Sequence, residues 1–577
     1  MREPSLVRNT LFSGIALSIL RAVVACSSGA GSSDTVGTPD ADGAGRGGTA
    51  GASAGSHAGP PSNAGSGAAP AGGSSGTAGK GGTGGSSASG GAKAQGAGGD
   101  GTPAGAGGTG PSSSGASGGG GAGAMAGGGA AGHAGSNDNA GASATTGGAA
   151  GSGPTDPGSL DLVAAPDGTA DAPGTLEKPT TLGAALTRIT AGHTIFARGG
   201  SYASAAQLTI AADNGGDAEH PKWLVAYGDE KPVLDFSSEP YGDGSNPRGL
   251  QINGDFWHLR GLEVLGAADN GIYVAGNHNV VERCVVHDNR DTGLQIGRKS
   301  SDDADPATWP SNNLIVDCES YDNYDAPPGS GENADGFAAK LTVGPGNTFR
   351  GCVSHNNIDD GWDLYTKTET GPIGPVTIDQ CIAYANGTLT NGTTNDNGDR
   401  NGFKLGGDDI AVPHVVTRSI AFKNGKNGFT WNSNPGAIAL SNNLAFDNVE
   451  GNFKFGDNST PTDAVFTNNL SFWTTTSGTQ SDKAIGTDAG TNAWWDESKA
   501  QARIAAKNIV VAASDFASSL ANAKPTRNAD GSLNFAPFAL AAGSALVNAG
   551  VVPAGALPFD AASYYAGAPD VGAVELE

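Results

Sequence analysis

The segment Arg283-Cys-Val-Val-His-Asp-Asn289 decides the fold, because copies of it recur along the chain. The copies are Asp317-Cys-Glu-Ser-Tyr-Asp-Asn323, Gly351-Cys-Val-Ser-His-Asn-Asn357, Gln380-Cys-Ile-Ala-Tyr-Ala-Asn386, Arg418-Ser-Ile-Ala-Phe-Lys-Asn424, Asn442-Asn-Leu-Ala-Phe-Asp-Asn448 and Asn468-Asn-Leu-Ser-Phe-Trp473. A second match, a Gly followed by a short strand pattern, accompanies them at Gly271, Gly293, Gly336, Gly361, Gly402, Gly428 and Gly451. These glycines are 22, 43, 25, 41, 26 and 23 residues apart, so the period is about 22–26 residues with two insertions.

This repeat predicts an all-β fold, a right-handed parallel β-helix. We expect two short strands per unit, joined at an Asn/Gly turn, because a unit of this length buries its apolar side only by stacking on its neighbours. Rungs of the solenoid are about 4.8 Å apart. The Asn that ends each repeat is predicted to form a ladder of stacked amides, and residues 180–189 are predicted to form a helix that caps the first open rung. The ladder residues are Asn289, Asn323, Asn357, Asn386, Asn424 and Asn448.

Four of the five cysteines occupy the same repeat position, at Cys284, Cys318, Cys352 and Cys381. We expect stacked, buried thiols there, since free Cys behaves as a small apolar residue. Side chains stacked in parallel register have poor geometry for disulfides, and the spacing matches no zinc-finger pattern.

The N-terminal quarter of the chain has a different composition. Residues 1–26 are predicted to be a signal peptide, whose short apolar run ends in Val23-Val24-Ala25-Cys26 and resembles a bacterial lipobox, with Cys26 as the lipidated residue. Residues 27–158 contain 47 of the 96 glycines and no Ile, Leu, Phe, Trp or Tyr, which predicts a disordered Gly/Ala/Ser-rich linker. The β-helix is predicted over residues 159–495, and a C-terminal extension over residues 496–577 is expected to pack on it.

The charge balance narrows the choice of partner. The chain has 57 acidic and 32 basic residues and a formal net charge of −25. Nucleic-acid binders need a basic surface, so DNA and RNA are excluded as expected partners. An acidic protein that binds a polyanion needs a metal ion or a local cluster of Lys and Arg at the contact.

Unusual residues gather on the rungs that begin at Gly336, Gly361 and Gly402, beside the insertions. Asp335 and Asp360 precede the first two of these glycines and are expected to stack, while Asp363 is expected one rung below Lys404. With Asp359, expected beneath Arg400, four carboxylates converge within two rungs. Such a group of oxygen ligands favours Ca²⁺, and the alternative is that each Asp is a turn former satisfied by backbone amides.

Three segments carry a family resemblance: Ala334-Asp-Gly-Phe-Ala-Ala-Lys340, Asp359-Asp-Gly-Trp-Asp-Leu-Tyr365 and Asn401-Gly-Phe-Lys-Leu-Gly-Gly407. They resemble the signature segments of the pectate lyases of polysaccharide lyase family nine. The resemblance implies a catalytic Ca²⁺ held by Asp335, Asp359, Asp360 and Asp363, with Lys404 as the base of a β-elimination. Because a base must be neutral to accept a proton, we expect activity at alkaline pH.

Other candidates are expected to contact substrate. Lys340 and Lys367 suit uronate carboxylates, Tyr365 suits a sugar ring, and Arg400 suits a uronate; the alternatives are solvated lysines, a packed ring and a pair between Arg400 and Asp359.

The sequence thus predicts a pectate lyase that cleaves polygalacturonate, an acidic polysaccharide, with Ca²⁺ as cofactor. We expect a monomer, secreted or held at the bacterial cell surface as an outer-membrane lipoprotein through an N-terminal lipid anchor. Two alternatives remain, a polygalacturonase-like β-helix hydrolase, in which two carboxylates act with water, and a noncatalytic carbohydrate-binding or adhesin module. Against the first alternative, this chain has no Arg-x-Lys motif of such hydrolases. Against the second, a binding module has no use for Lys404.

Overall fold

The computed structural model describes residues 161–242, 246–457, 459–475, 480–554 and 567–576. The predicted signal peptide, its Cys26 and the predicted linker lie outside the described residues. Within them, no helix is long and apolar enough to cross a membrane.

Three long parallel sheets run the length of the domain and form a parallel β-helix. Sheet 1 consists of Leu162–Ala164, Thr194–Ala197, Lys222–Ala226, Trp257–Arg260, Val280–Glu282, Leu314–Val316, Thr348–Arg350, Thr377–Asp379, Val415–Thr417, Ala439–Ser441, Val465–Thr467 and Thr487–Asp488. Sheet 2 consists of Gly200–Ala203, Pro232–Asp235, Glu263–Leu265, Val285–His287, Glu319–Tyr321, Val353–His355, Ile382–Tyr384, Ile420–Phe422, Leu444–Phe446 and Leu470–Phe472. Sheet 3 consists of Leu208–Ile210, Leu250–Ile252, Ile272–Val274, Leu294–Ile296, Phe337–Ala339, Trp362–Asp363, Phe403–Lys404, Asn427–Thr430, Gly451–Phe455 and Lys483–Ala484.

Each turn of the solenoid therefore has three strands, and the expectation of two strands per unit is wrong. The missed strand belongs to sheet 1 and ends directly before the repeat segment, as Val280–Glu282 ends before Arg283. Arg283 has a φ of 52°, and this left-handed conformation turns the chain from sheet 1 into sheet 2 within two residues. The equivalent residues are also left-handed although their side chains differ: Asp317, Gly351, Gln380, Arg418, Asn442 and Asn468.

The predicted Asn ladder is confirmed. Asn323 Oδ1 accepts hydrogen bonds from the backbone N and the Nδ2 of Asn289, at 3.1 and 2.9 Å. The same pattern repeats through Asn357, Asn386 and Asn424 to Asn448, all of them buried. Two further buried ladders, which sequence reasoning missed, stabilise sheet 1: one consists of Asn279, Asn313 and Asn347, and the other of Asn443, Asn469 and Asn492.

We expect Asn357→Ala to destabilise the protein by about 3 kcal/mol, because it leaves buried donors of Asn323 without an acceptor and removes a donor from Asn386. The free energy of unfolding from urea denaturation measures this effect. Asn391→Ala, at an exposed position in the insertion at 388–399, is the control and should change that free energy by less than about 0.5 kcal/mol. An equal loss in both variants would contradict the ladder's role.

The core is filled by stacks that follow the rungs. Phe337, Trp362, Phe403, Phe429 and Phe453 stack with ring centroids 4.7–5.1 Å apart, all from the inner face of sheet 3. Cys284, Cys318, Cys352 and Cys381 are buried free thiols, as the repeat predicts.

The ends and one side of the solenoid are covered. The predicted capping helix is present as Leu182–Arg188, with Thr181 as its N-cap, and it buries Leu182, Ala185 and Leu186. After the last rung, small antiparallel sheets and 3₁₀ turns pack their apolar residues against the outer face of sheet 2. The strands are Trp494–Asp496, Gln501–Ile504, Ile509–Val510, Thr526–Arg527 and Leu533–Asn534; the 3₁₀ turns are Pro306–Thr308 in an insertion and Glu497–Lys499, Ala505–Lys507, Ala513–Asp515, Leu520–Asn522 and Ala536–Phe538 after the last rung. Sheets 1 and 3 thus keep outer faces that this segment does not cover.

Candidate active site

The site is built on the outer face of sheet 3, where one residue per rung points away from the core. We call this row the base column: Thr209, Gln251, Tyr273, Gln295, Ala338, Asp363, Lys404, Thr430, Lys454 and Lys483. Asp363 pairs with Lys404 in the parallel register, which confirms their predicted stacking. The glycines at this repeat position, such as Gly361 and Gly402, keep the register because the backbones are close: a Cβ on Gly361 would lie 2.5 Å from the carbonyl oxygen of Gly402. The predicted equivalence of Gly451 with them is wrong by one residue, since Gly451 pairs with Asn427.

Three predicted carboxylates converge at the turn that precedes these strands. Asp335, Asp359 and Asp360 are at most 1% exposed, and each offers an oxygen within 4.8 Å of the others. The backbone fixes their orientation: the amide of Asp360 donates to Asp335 Oδ1, and the amide of Asn401 donates to Asp360 Oδ1. The predicted stacking of Asp335 and Asp360 is therefore confirmed.

The fourth carboxylate, Asp363, lies beside this trio and contacts two lysines, Lys340 and Lys404. Its Oδ2 is 3.3 Å from Lys340 Nζ, and its Oδ1 is 3.8 Å from Lys404 Nζ. Lys340 Nζ also lies 2.6 Å from Asp335 Oδ2. Lys340, expected to meet substrate, thus belongs to the charge network of the carboxylates.

Lys404 lies at the opening of the site and is 8% exposed. Its Nζ is 3.3 Å from Asp360 Oδ2 and 3.0 Å from Asp399 Oδ2. Burial by itself would lower the pKa of Lys404, but the surrounding carboxylates, with Asp363 first, outweigh burial and raise the pKa well above its ordinary value. The ammonium form is therefore the stable one when only these carboxylates surround the lysine.

For the carboxylates, in contrast, burial outweighs the nearby lysines, and their pKa values are raised. Burial raises the pKa of Asp335 to about 7 and that of Asp360 to about 8, and burial followed by Asp360 raises the pKa of Asp359 well above its ordinary value. Moreover, Asp360 Oδ2 is buried and accepts no hydrogen bond. Two lysines are thus insufficient compensation for these buried acids, and the donor set of carboxylate oxygens fits a hard divalent cation such as Ca²⁺.

The remaining predicted residues surround Lys404. The Tyr365 ring centroid is 5.5 Å from Lys404 Nζ, and its hydroxyl donates to Asp408 at 2.7 Å. Lys367 is half exposed and 3.9 Å from Glu369. The backbone amide of Arg400 contacts Asp359 as its predicted stacking requires, but its guanidinium pairs with Asp396 at 3.2 Å. The expected side-chain pair between Arg400 and Asp359 is therefore wrong, because the guanidinium turns toward the insertion.

Sequence reasoning missed Asp399, which contacts Lys404 directly and also lies 3.1 Å from Lys426 Nζ. It is the last residue of the insertion at 388–399, and its amide donates to Asp359 Oδ1. Burial would raise the pKa of Asp399, but Lys404 and Lys426 lower it. Its position directly before Arg400, in the turn that leads to Gly402, was the available signal.

Comparisons with known proteins agree with this architecture. The family model described as "Pel9A-like, right handed beta helix region" matches residues 162–473. The chain is 51% identical over 392 residues to "Pectate lyase L" of Paenibacillus polymyxa (strain SC2), covering 68% of this chain and 83% of that protein. It is 48% identical over 296 residues to "Pectate lyase L" of Thermoclostridium stercorarium, covering 51% of this chain and 23% of that longer protein. Among solved structures, pectate lyase Pel9A matches with a TM-score of 0.56 and 31% identity, over 72% of this chain and 96% of that one.

Proposed function

This chain belongs to the Pel9A-like right-handed β-helix family and is a pectate lyase, and we propose that it cleaves polygalacturonate by β-elimination with Lys404 as the base. One observation supports the choice of base above the others. Lys404 is the lysine of the base column that lies directly beside the buried carboxylates, with its Nζ 3.3 Å from Asp360 and 3.8 Å from Asp363.

The reaction defines what these residues must do. Lys404 Nζ accepts the proton from the carbon α to the uronate carboxylate, the electron pair of that C–H bond forms the carbon–carbon double bond, and the C–O bond at the β carbon breaks. The electron pair of the C–O bond leaves with the glycosidic oxygen, which takes a proton from water. Asp399, 38% exposed in its side chain, lies 3.0 Å from Nζ and positions it. Because only the neutral amine accepts a proton, the rate should rise toward alkaline pH.

We propose that Asp335, Asp359, Asp360 and Asp363 hold Ca²⁺. When bound, Ca²⁺ supplies positive charge that offsets the uronate carboxylate and disfavours the ammonium form of Lys404. The buried Oδ2 of Asp360, which accepts no hydrogen bond and lies 3.3 Å from Lys404 Nζ, and the raised pKa values of the trio support this assignment. Lys340 then acts chiefly to neutralise Asp335 and Asp363.

Three side chains at the rim remain proposed substrate contacts. In the described part of the chain, the ion-pair partner of the Arg400 guanidinium is the highly exposed Asp396, so a uronate carboxylate can replace that partner. Lys367 is solvated, and the Tyr365 ring lies next to Lys404. Arg400 and Lys367 suit carboxylates, and Tyr365 suits a sugar ring.

We also propose that the protein acts outside the bacterial cell as a monomer. The apolar run before Cys26 supports export and a lipid anchor at that residue, and the composition of residues 27–158 supports a flexible spacer.

The test is ultraviolet absorbance of unsaturated product from polygalacturonate at alkaline pH, using the full chain. We expect absorbance that grows, stops with a chelator and returns with Ca²⁺. New reducing ends without absorbance would support the hydrolase alternative. If both signals are absent on polygalacturonate and on other uronate polymers, such as rhamnogalacturonan, the result would contradict a lyase. The binding module would then be the remaining alternative.

A further inference from the structure

The base column becomes basic on the C-terminal side of Lys404. Its next residues are Thr430, Lys454 and Lys483, in direct register on successive strands. Lys454 is the one exposed residue of the strand Gly451–Phe455, whose other four residues are buried. With rungs about 4.8 Å apart, Lys454 lies about 10 Å and Lys483 about 14 Å from the base along the column.

This pair of lysines has an electrostatic cost that the fold offsets only in part. Like charges directly opposite each other on neighbouring strands are destabilising. Among the described residues, neither Lys454 nor Lys483 forms an ion pair. The charge of Lys483 interacts with the exposed Asp457 carboxylate, whose Oδ1 accepts hydrogen bonds from Ser459 and the amide of Thr460. Two lysines without an ion-pair partner in a chain with 57 acidic and 32 basic residues indicate an anionic ligand.

On the N-terminal side of Lys404, acidic residues predominate. A cavity of about 350 Å³ on the N-terminal side is lined by Asp269, Asp291 and Asp325, with Arg290 as its basic residue. The basic group over the base column on this side, Arg248, lies 3.5 Å from the Tyr273 ring and is 3.8 Å from Asp269, so a polyanion that crosses Lys404 meets an arginine already paired with a carboxylate on one side and lysines without an ion-pair partner on the other. The attraction lies along the column that carries the base.

We propose that Lys454 and Lys483 are substrate-binding positions that receive uronate carboxylates on the C-terminal side of the base. This inference rests on the proposed function, since it takes the substrate to be a polyuronate lying along the base column. Both lysines lie at least two rungs from Lys404, so they contribute affinity rather than chemistry. Their contribution should grow with the length of the substrate.

The test is a Lys454→Ala/Lys483→Ala double variant of the full chain. We expect KM for polygalacturonate to rise about tenfold with kcat changed by less than about twofold, because exposed charge pairs contribute uniform binding. A short oligomer that does not reach Lys454 should show a much smaller change. The matched control, Lys231→Ala/Lys524→Ala, removes the same charge from exposed positions elsewhere and should leave KM unchanged.

A binding measurement separates this inference from the proposed function. In a Lys404→Ala background, retardation of the protein in gels containing polygalacturonate reports binding without turnover. The double variant should need about tenfold more polymer for the same retardation. Equal KM and equal retardation in the double variant and its control would overturn the inference, even if the protein is a lyase. If the wild type has no lyase activity, the retardation result still decides whether these lysines bind the polymer.

Discussion

Lys404→Ala should lower kcat on polygalacturonate by about 10³-fold, because general-base catalysis contributes about 10²–10⁴-fold and Lys340, the other amine beside these carboxylates, is held in ion pairs with Asp335 and Asp363. The variant keeps Asp399 and the carboxylate trio, so Ca²⁺ binding should persist. The measurement is the initial rate of absorbance increase at saturating Ca²⁺ and substrate. KM should change much less than kcat, since the lost interaction acts in the transition state.

The matched control is Lys426→Ala. Lys426 shares the Asp399 carboxylate with Lys404 at nearly the same distance, 3.1 against 3.0 Å, but it does not belong to the base column. Its removal should leave kcat within about threefold. Partial recovery of the Lys404→Ala rate by a small primary amine would identify proton transfer as the lost step. A Lys404→Ala enzyme with more than a tenth of the wild-type kcat would exclude this residue as the base.

Much of the fold can be predicted from residues that recur at fixed spacing in the sequence. The repeated Asn is buried and hydrogen-bonded through its side-chain amide on the six rungs from Asn289 to Asn448, so its periodicity predicts the ladder and, with it, the register. Because register in a parallel stack fixes every outward position, Asp363 could be assigned next to Lys404 before any coordinates. The third strand of each turn could not be predicted from the sequence, since the bend at Arg283 depends on one backbone angle that many residue types adopt.

The site was less predictable where it depends on contacts between distant segments. Asp399 comes from an insertion that folds back on Asp359, and its position directly before Arg400 is the one local feature that separates it from Asp396, the other acidic residue there. Lys340 follows a recognisable motif, yet its long side chain turns inward to Asp335 instead of outward to substrate. Side-chain direction at such positions is decided by the charges that surround it, which the repeat does not encode.

Without a divalent cation, the melting temperature should fall as pH rises from 5 to 9. Asp335 and Asp360 have pKa values of about 7 and about 8 in the folded chain, whereas unfolded Asp titrates near pH 4. The folded chain therefore binds more protons than the unfolded chain between about pH 4 and pH 8. Stability is present below this window and falls as pH rises through it.

Ca²⁺ should restore this stability most strongly at pH 9, where the carboxylates are ionised and available as ligands. A hundredfold excess over the dissociation constant stabilises by about 2.7 kcal/mol. Asp360→Asn keeps the shape and the acceptor for the Asn401 amide but removes one buried charge. We expect this variant to be less sensitive to pH in chelator, to gain little from Ca²⁺ and to lose at least 10²-fold in kcat.

The control is Asp457→Asn, which removes an exposed carboxylate and should leave the pH dependence and the Ca²⁺ effect as in the wild type. Differential scanning calorimetry at several pH values, with chelator and with Ca²⁺, measures all three proteins. A flat melting temperature in chelator would mean that the two lysines alone compensate the buried acids. An equal Ca²⁺ effect in wild type and Asp360→Asn would place the cation elsewhere. The expected pattern, in contrast, follows only if the same carboxylates that destabilise the metal-free chain at alkaline pH are the ligands that prepare it for catalysis.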